Sequence, residues 1–164
     1  MASYLQQDRQ IRVSTPLGKD VLVLRAFSGT EEISRPFRFQ VAMLAENATK
    51  VPFESILGEK VTVHLLKADQ SSETHFNGVC ARFAQAGRDK FFTSYRADLV
   101  PEFQLLARKA QSRIFQRKSV PDILKEVMKG VTVDWQLQGT YEKRDYCVQY
   151  RESDLAFAFR LMEE

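Results

Sequence analysis

Along the first hundred residues, apolar side chains recur mainly at every second position, with turn-forming residues between the runs. Phe37, Phe39, Val41 and Met43 alternate with Arg38, Gln40 and Ala42, and Val61, Val63 and Leu65 alternate with Lys60, Thr62 and His64. A period of two places each apolar set on one face of a strand, so these segments predict sheets with a single core face. Val21 to Phe27 is apolar at nearly every position except Arg25, which predicts a central strand or one whose outer face meets another subunit. Leu22 and Leu24 are therefore the apolar interface candidates, and with Phe37 and Phe39 they are expected in core or subunit contacts. Phe91 to Val100 carries aromatics on both faces and predicts burial on both sides. Asn77-Gly78 interrupts the run from His75 to Phe83 as a hairpin turn or a bulge, and Pro52 to Leu57 reads as a helical turn ended by Gly58.

The period changes after Ser119. Ser119 and Asp122 have the spacing of a capping box, and Pro121 falls in the first turn, where its missing N–H costs nothing. Val120, Ile123, Leu124, Val127 and Met128 then form one helical stripe, closed by Gly130, which predicts a helix over 119–129. Short strands are expected at 131–136 and 146–150. A helix is expected over 154–164, and it is still running at Glu164 with no closing residue, so the sequence reads as a piece of a longer chain. The predicted fold class is mainly β with inserted helices (α+β). Its parts are a first β-barrel domain over 1–108 and the start of an α/β segment over 109–164.

Composition narrows the function classes. The chain has 164 residues, 44% of them hydrophobic and 27% charged, the balance of a globular domain rather than of a disordered or membrane-embedded one. The longest apolar run, Leu155 to Phe159, is far short of the roughly 18 residues needed to cross a bilayer. Met1 to Asp8 lacks the basic start and apolar core of an export signal, so no signal peptide and no membrane-spanning segment are expected. Cys80 and Cys147 stand apart, each in a strand pattern, and read as buried free thiols made in a reducing cytosol. The formal charge of +3 is small, but Arg108, Lys109, Arg113, Arg117 and Lys118 follow one another with no carboxylate between them. Such a run could meet phosphates or an acidic protein face, and more ordinarily it is a solvated loop and helix approach.

Groupings that carry chemistry are not found. Gly18-Lys19 lacks the first glycine of a phosphate loop, and no glycine pattern or serine elbow marks a nucleotide or acyl-transfer site. His64 and His75 lie in strand-like segments without a zinc-binding spacing, and Cys147 has no histidine near it in sequence. Glu31-Glu32 reads as a polar turn, Asp154 as a helix-start carboxylate, and Arg151 with Glu152 as an ion pair across the strand-to-helix corner. No catalytic residue, cofactor or metal is expected.

The order of several motifs is specific. Ser34-Arg35-Pro36-Phe37-Arg38-Phe39, Leu57-Gly58, Phe76-Asn77-Gly78-Val79, Tyr95 to Pro101, Arg113-Ile114-Phe115-Gln116, Lys118 to Ile123, Tyr146 to Asp154 and Arg160 to Glu164 occur in that sequence. Together they resemble the N-terminal, phage tail hub-like region of the type VI secretion VgrG spike proteins. Phe103-Gln104-Leu105 departs from the family, which often has two tryptophans there.

The resemblance implies a hub-like β-barrel without enzymatic activity, assembled as a homotrimer. It also implies docking on a hexameric, Hcp-like tube protein, contact with baseplate components, and a C-terminal needle carrying effectors or adaptors. Such a protein is assembled in the cytoplasm and translocated out of the cell, or into a target cell, on firing. Nucleic acid is not expected as a partner. The alternative is an OB-like nucleic-acid-binding barrel, which would draw on the basic run beside Phe103 and Phe115.

Overall fold

The computed structural model describes residues 4–68 and 72–164. The chain forms two units, Met1–Pro101 and Glu102–Glu164. The short 3₁₀ segment Glu102–Arg108, expected with the barrel, therefore groups with the second unit.

The first unit is a six-stranded antiparallel sheet in the order β1-β4-β5-β6-β3-β2. Its strands are β1 (Ile11–Ser14), β2 (Val23–Glu32), β3 (Arg35–Glu46), β4 (Lys60–Leu66), β5 (Glu73–Arg88) and β6 (Phe92–Val100). The sheet curls into a half-barrel. Period-two patterning sets its inner face: Phe39, Val41, Met43, Ala45, Val61, Val63 and Leu99 are all buried, while the residues between them are exposed or half-buried. These buried residues form one core cluster with Leu22, Leu24, Cys80 and Tyr95. Ile56, just after the 3₁₀ turn Phe53–Ser55, plugs the same core at 0% exposure.

Three expectations for this unit change. The run at Val21 to Phe27 enters, from Val23 on, an edge strand, β2, which excludes the central-strand alternative. Leu22, Val23 and Leu24 are nevertheless buried, because the segment around Gln6 covers that edge. Asn77-Gly78 is neither turn nor bulge, since both residues pair in register with Thr62 and Val61. The glycine is required by close approach: a Cβ at Gly78 would stand 2.9 Å from Leu99 Cβ. The bulges fall further along β5, between Cys80 and Arg82 and between Gln85 and Gly87. Finally, β6 is buried along its whole length on one face only, and on the other face burial is confined to Val100. Thr93, Tyr95, Ala97 and Leu99 point inward, Phe91 is exposed, and Phe92 is half-buried with Tyr4 edge-on at 4.8 Å.

Gln6 bridges the two open edges of the half-barrel. Its buried amide donates to Val13 O at 3.3 Å and to Leu22 O at 3.0 Å, and its Oε1 accepts from Val13 N at 3.1 Å and from Leu24 N at 3.0 Å. One side chain thus replaces ladder hydrogen bonds between β1 and β2, which are not paired with each other.

The second unit has a two-stranded antiparallel sheet of β7 (Ala110–Lys118) and β8 (Arg144–Ser153), with helices α1 (Val120–Val127) and α2 (Asp154–Met162). The capping box at Ser119 and Asp122 forms as expected, and the hydrogen bonds from Ser119 hold the Asp122 carboxyl below its ordinary pKa. Ile123, Leu124 and Val127 of α1 pack with Phe115 and Cys147 of the sheet and with Phe157, Ala158 and Leu161 of α2. Phe115 and Phe157 stack at 5.6 Å. The strand expected at 131–136 does not form. Val131, Val133 and Trp135 keep the alternate half-burial of a strand, but no neighbouring strand pairs with them. The basic run, expected as loop and helix approach, instead lies mostly on β7.

Candidate functional site

The interface candidates divide by environment. Leu22 and Leu24 are core residues at 1% and 2% exposure. Arg113 turns into its own unit: its guanidinium donates to Asp154 Oδ1 at 2.6 Å and to Gln149 Oε1 at 2.9 Å. Gln149, fully buried, donates in turn to Asp154 Oδ1 at 2.8 Å and to Glu152 O at 3.1 Å. This network fixes the corner where β8 gives way to α2, and charge-assisted bonds of this kind are the stronger ones. Lys118 pairs with Glu126. Arg108, Lys109 and Arg117 are exposed. Arg151 does not pair with Glu152 as expected; its guanidinium lies over the Tyr150 ring at 5.4 Å, and Glu152 pairs with Arg160 at 2.6 Å.

With helices covering one face of the β7–β8 sheet, the other face is left bare. Ile114 stands opposite Val148 in register, with Tyr146 and Tyr150 on the same face, and these four are 68%, 38%, 70% and 66% exposed. Apolar side chains grouped in this way mark a contact surface. Strand periodicity alone puts Tyr146, Val148 and Tyr150 together, but only the pairing with β7 adds Ile114.

The outer face of the first unit holds a polar cluster that sequence spacing does not reveal. His64 on β4 and His75 on β5 are direct cross-strand partners, and Arg12 on β1 pairs with His64 from the other side. The two Nδ1 atoms face each other at 3.1 Å, and Glu73, two residues from His75, brings Oε2 to 3.7 Å from His64 Nδ1. Ser14 Oγ lies 2.8 Å from His64 Nε2, and Arg12 pairs with the other Glu73 oxygen. Burial first, and then the neighbouring His75, push the His64 pKa below its ordinary value. These residues line a cavity of about 450 Å³, shared with Thr15, whose Oγ1 is buried with no hydrogen-bond partner. The signal available in sequence was that His64 and His75 each sit on the polar face of a strand. The register that makes them neighbours was not legible.

Cys80, buried in the first core, has its thiol pushed up to about 11 by desolvation. A thiol that stays protonated at neutral pH is a poor nucleophile. A second concavity, of about 520 Å³, is lined by alanines of β2, β3, β5 and β6 together with Arg82, Arg96 and Asp98, and its lining holds no histidine or cysteine. No helix among the described residues is long and apolar enough to cross a membrane.

The family model for the phage tail baseplate hub (GPD) matches residues 30–164. The chain belongs to this family. The spike protein VgrG1b of Pseudomonas aeruginosa is 38% identical over 162 residues, which are 97% of this chain and 22% of that protein. VgrG1a of the same organism is 37% identical over 98% of the chain and 25% of its own length. This chain therefore spans about a quarter of the length of the curated relatives it matches. Among solved structures, the E. coli c3393 protein shares the fold at a TM-score of 0.71 and 24% identity, over 94% of this chain and 42% of that one. That protein is described as a type VI secretion component similar to the T4 tail proteins gp27 and gp5. The hub-like, mainly β fold expected from the sequence is the one observed.

Proposed function

We propose that this chain forms the hub of a trimeric spike in a contractile type VI secretion apparatus, a mechanical part and not an enzyme. The observation that carries this reading is the hub-family match across 30–164, together with relatives that are named spike proteins and align over nearly the whole chain. In this role the half-barrels join a hexameric, Hcp-like tube and the surrounding baseplate to a needle. They transmit the thrust of contraction, and effectors travel with the spike. Assembly takes place in the cytoplasm, and firing carries the complex out of the cell or into a target.

Physical support comes from the bare β7–β8 face, since exposed Ile114, Tyr146 and Tyr150 are the residue types that desolvate well at subunit contacts. Exposed Lys109 and Arg117 suit an acidic neighbour in the baseplate. The test is the mass of the intact protein by light scattering, together with co-purification of the tube protein. A trimer that the double variant Tyr146→Lys/Tyr150→Lys converts to monomer is expected. A wild-type monomer that retains no tube protein would sink the proposal.

A further inference from the structure

We propose that His64, His75 and Glu73 form a divalent-cation site, suited best to zinc(II), on the outer face of the β4–β5 hairpin. Tetrahedral zinc with bonds of about 2.0–2.1 Å holds its ligand atoms roughly 3.3 Å apart. The two Nδ1 atoms are 3.1 Å apart and the Glu73 oxygen is 3.7 Å from His64, and all three ligand atoms fall within 4.8 Å of one another. The two imidazole nitrogens are already near the spacing a shared ion imposes, with their ring planes at 86°, and the Glu73 arm has to turn inward.

The surroundings agree. A metal-bound histidine ordinarily donates its other ring N–H to an oxygen, and Ser14 Oγ occupies that place at 2.8 Å from His64 Nε2. Arg12 holds the second Glu73 oxygen and leaves the first for the ion. Imidazole and carboxylate donors favour zinc among abundant divalent ions, and all three residues line the cavity, which leaves room for a water as fourth ligand. Such an ion would staple the hairpin by binding only the folded chain.

The experiment loads the intact protein with zinc chloride, removes loosely held metal by dialysis, and counts zinc per chain by mass spectrometry. Wild type is expected to hold one more zinc per chain than His75→Ala, a substitution at an exposed position that leaves the fold intact by circular dichroism. Glu73→Gln should weaken zinc binding at least tenfold. Cobalt(II) in place of zinc should give the visible bands of a tetrahedral nitrogen–oxygen site in wild type and not in His75→Ala. Equal zinc content in wild type and His75→Ala overturns the site, and unchanged affinity in Glu73→Gln overturns the three-ligand assignment.

Discussion

The two units complete their sheets in opposite ways. In the first, six strands curl round one core, and the two edges that remain are tied by the side chain of Gln6. In the second, only two strands form, helices cover one face, and Ile114, Tyr146 and Tyr150 stand exposed on the other. A two-stranded sheet is marginal by itself, so this unit draws its stability from α1, α2 and the Arg113–Gln149–Asp154 network. A part with a bare apolar face is suited to being held by something else.

The largest effect that would sharpen this contrast is in the second core. Phe157→Ala empties the space between Phe115 and α1 and should cost about 3–5 kcal/mol, read as early loss of amide-exchange protection in 102–164 while 1–101 stays protected. Simultaneous loss in both units would show them to be one cooperative body. Next is Gln6→Leu, which leaves two N–H and two C=O groups of the β1 and β2 edges without their partner. A cost of roughly 2–4 kcal/mol in urea unfolding, with faster exchange at the Val13 and Leu24 amides, is expected. Unchanged exchange there would mean that the edges do not need the bridge.

Cys80 gives a pH-dependent effect confined to the first unit. Its pKa is raised from about 9 to about 11 in the folded chain, so the unfolded thiol ionises first as pH rises. Stability from this group is complete below pH 9 and falls between pH 9 and 11, by roughly 2 kcal/mol in all. Cys80→Ala should flatten that part of the stability curve, and an identical slope in the variant would assign it elsewhere. The smallest effect belongs to the bare face: Tyr150→Ser should change the chain's own stability by less than about 0.5 kcal/mol, because the ring is already in water. A larger loss, measured by thermal unfolding, would show that the face packs within the chain after all.

Legibility in the sequence followed the range of the interactions. The strands with clean alternation, the capped helix α1 and the free buried thiols were readable because each depends on neighbours a few residues away. The strand at 131–136 was misread because periodicity reports burial, while a strand also needs a partner, and none lies beside Val131 to Gln136. Gly78 was misread for a related reason: its spacing suggests a turn, and its real constraint is Leu99, twenty-one residues on. Arg113 looked like a surface charge because the carboxylate it meets, Asp154, is forty-one residues away.

By itself, then, the sequence determined which residues face inward, where the capped helix starts and which family the motifs belong to, since these rest on local periodicity and ordered short motifs. Tertiary structure decided that Gln6 closes an edge, that Ile114 joins Tyr146 and Tyr150 on a bare face, and that His64, His75 and Glu73 converge. The first depends on two sheet edges coming within reach of one side chain, and the other two depend on strand register, which is fixed only when whole faces bury together: a slip of one residue would turn those strand side chains to the other side of their sheets.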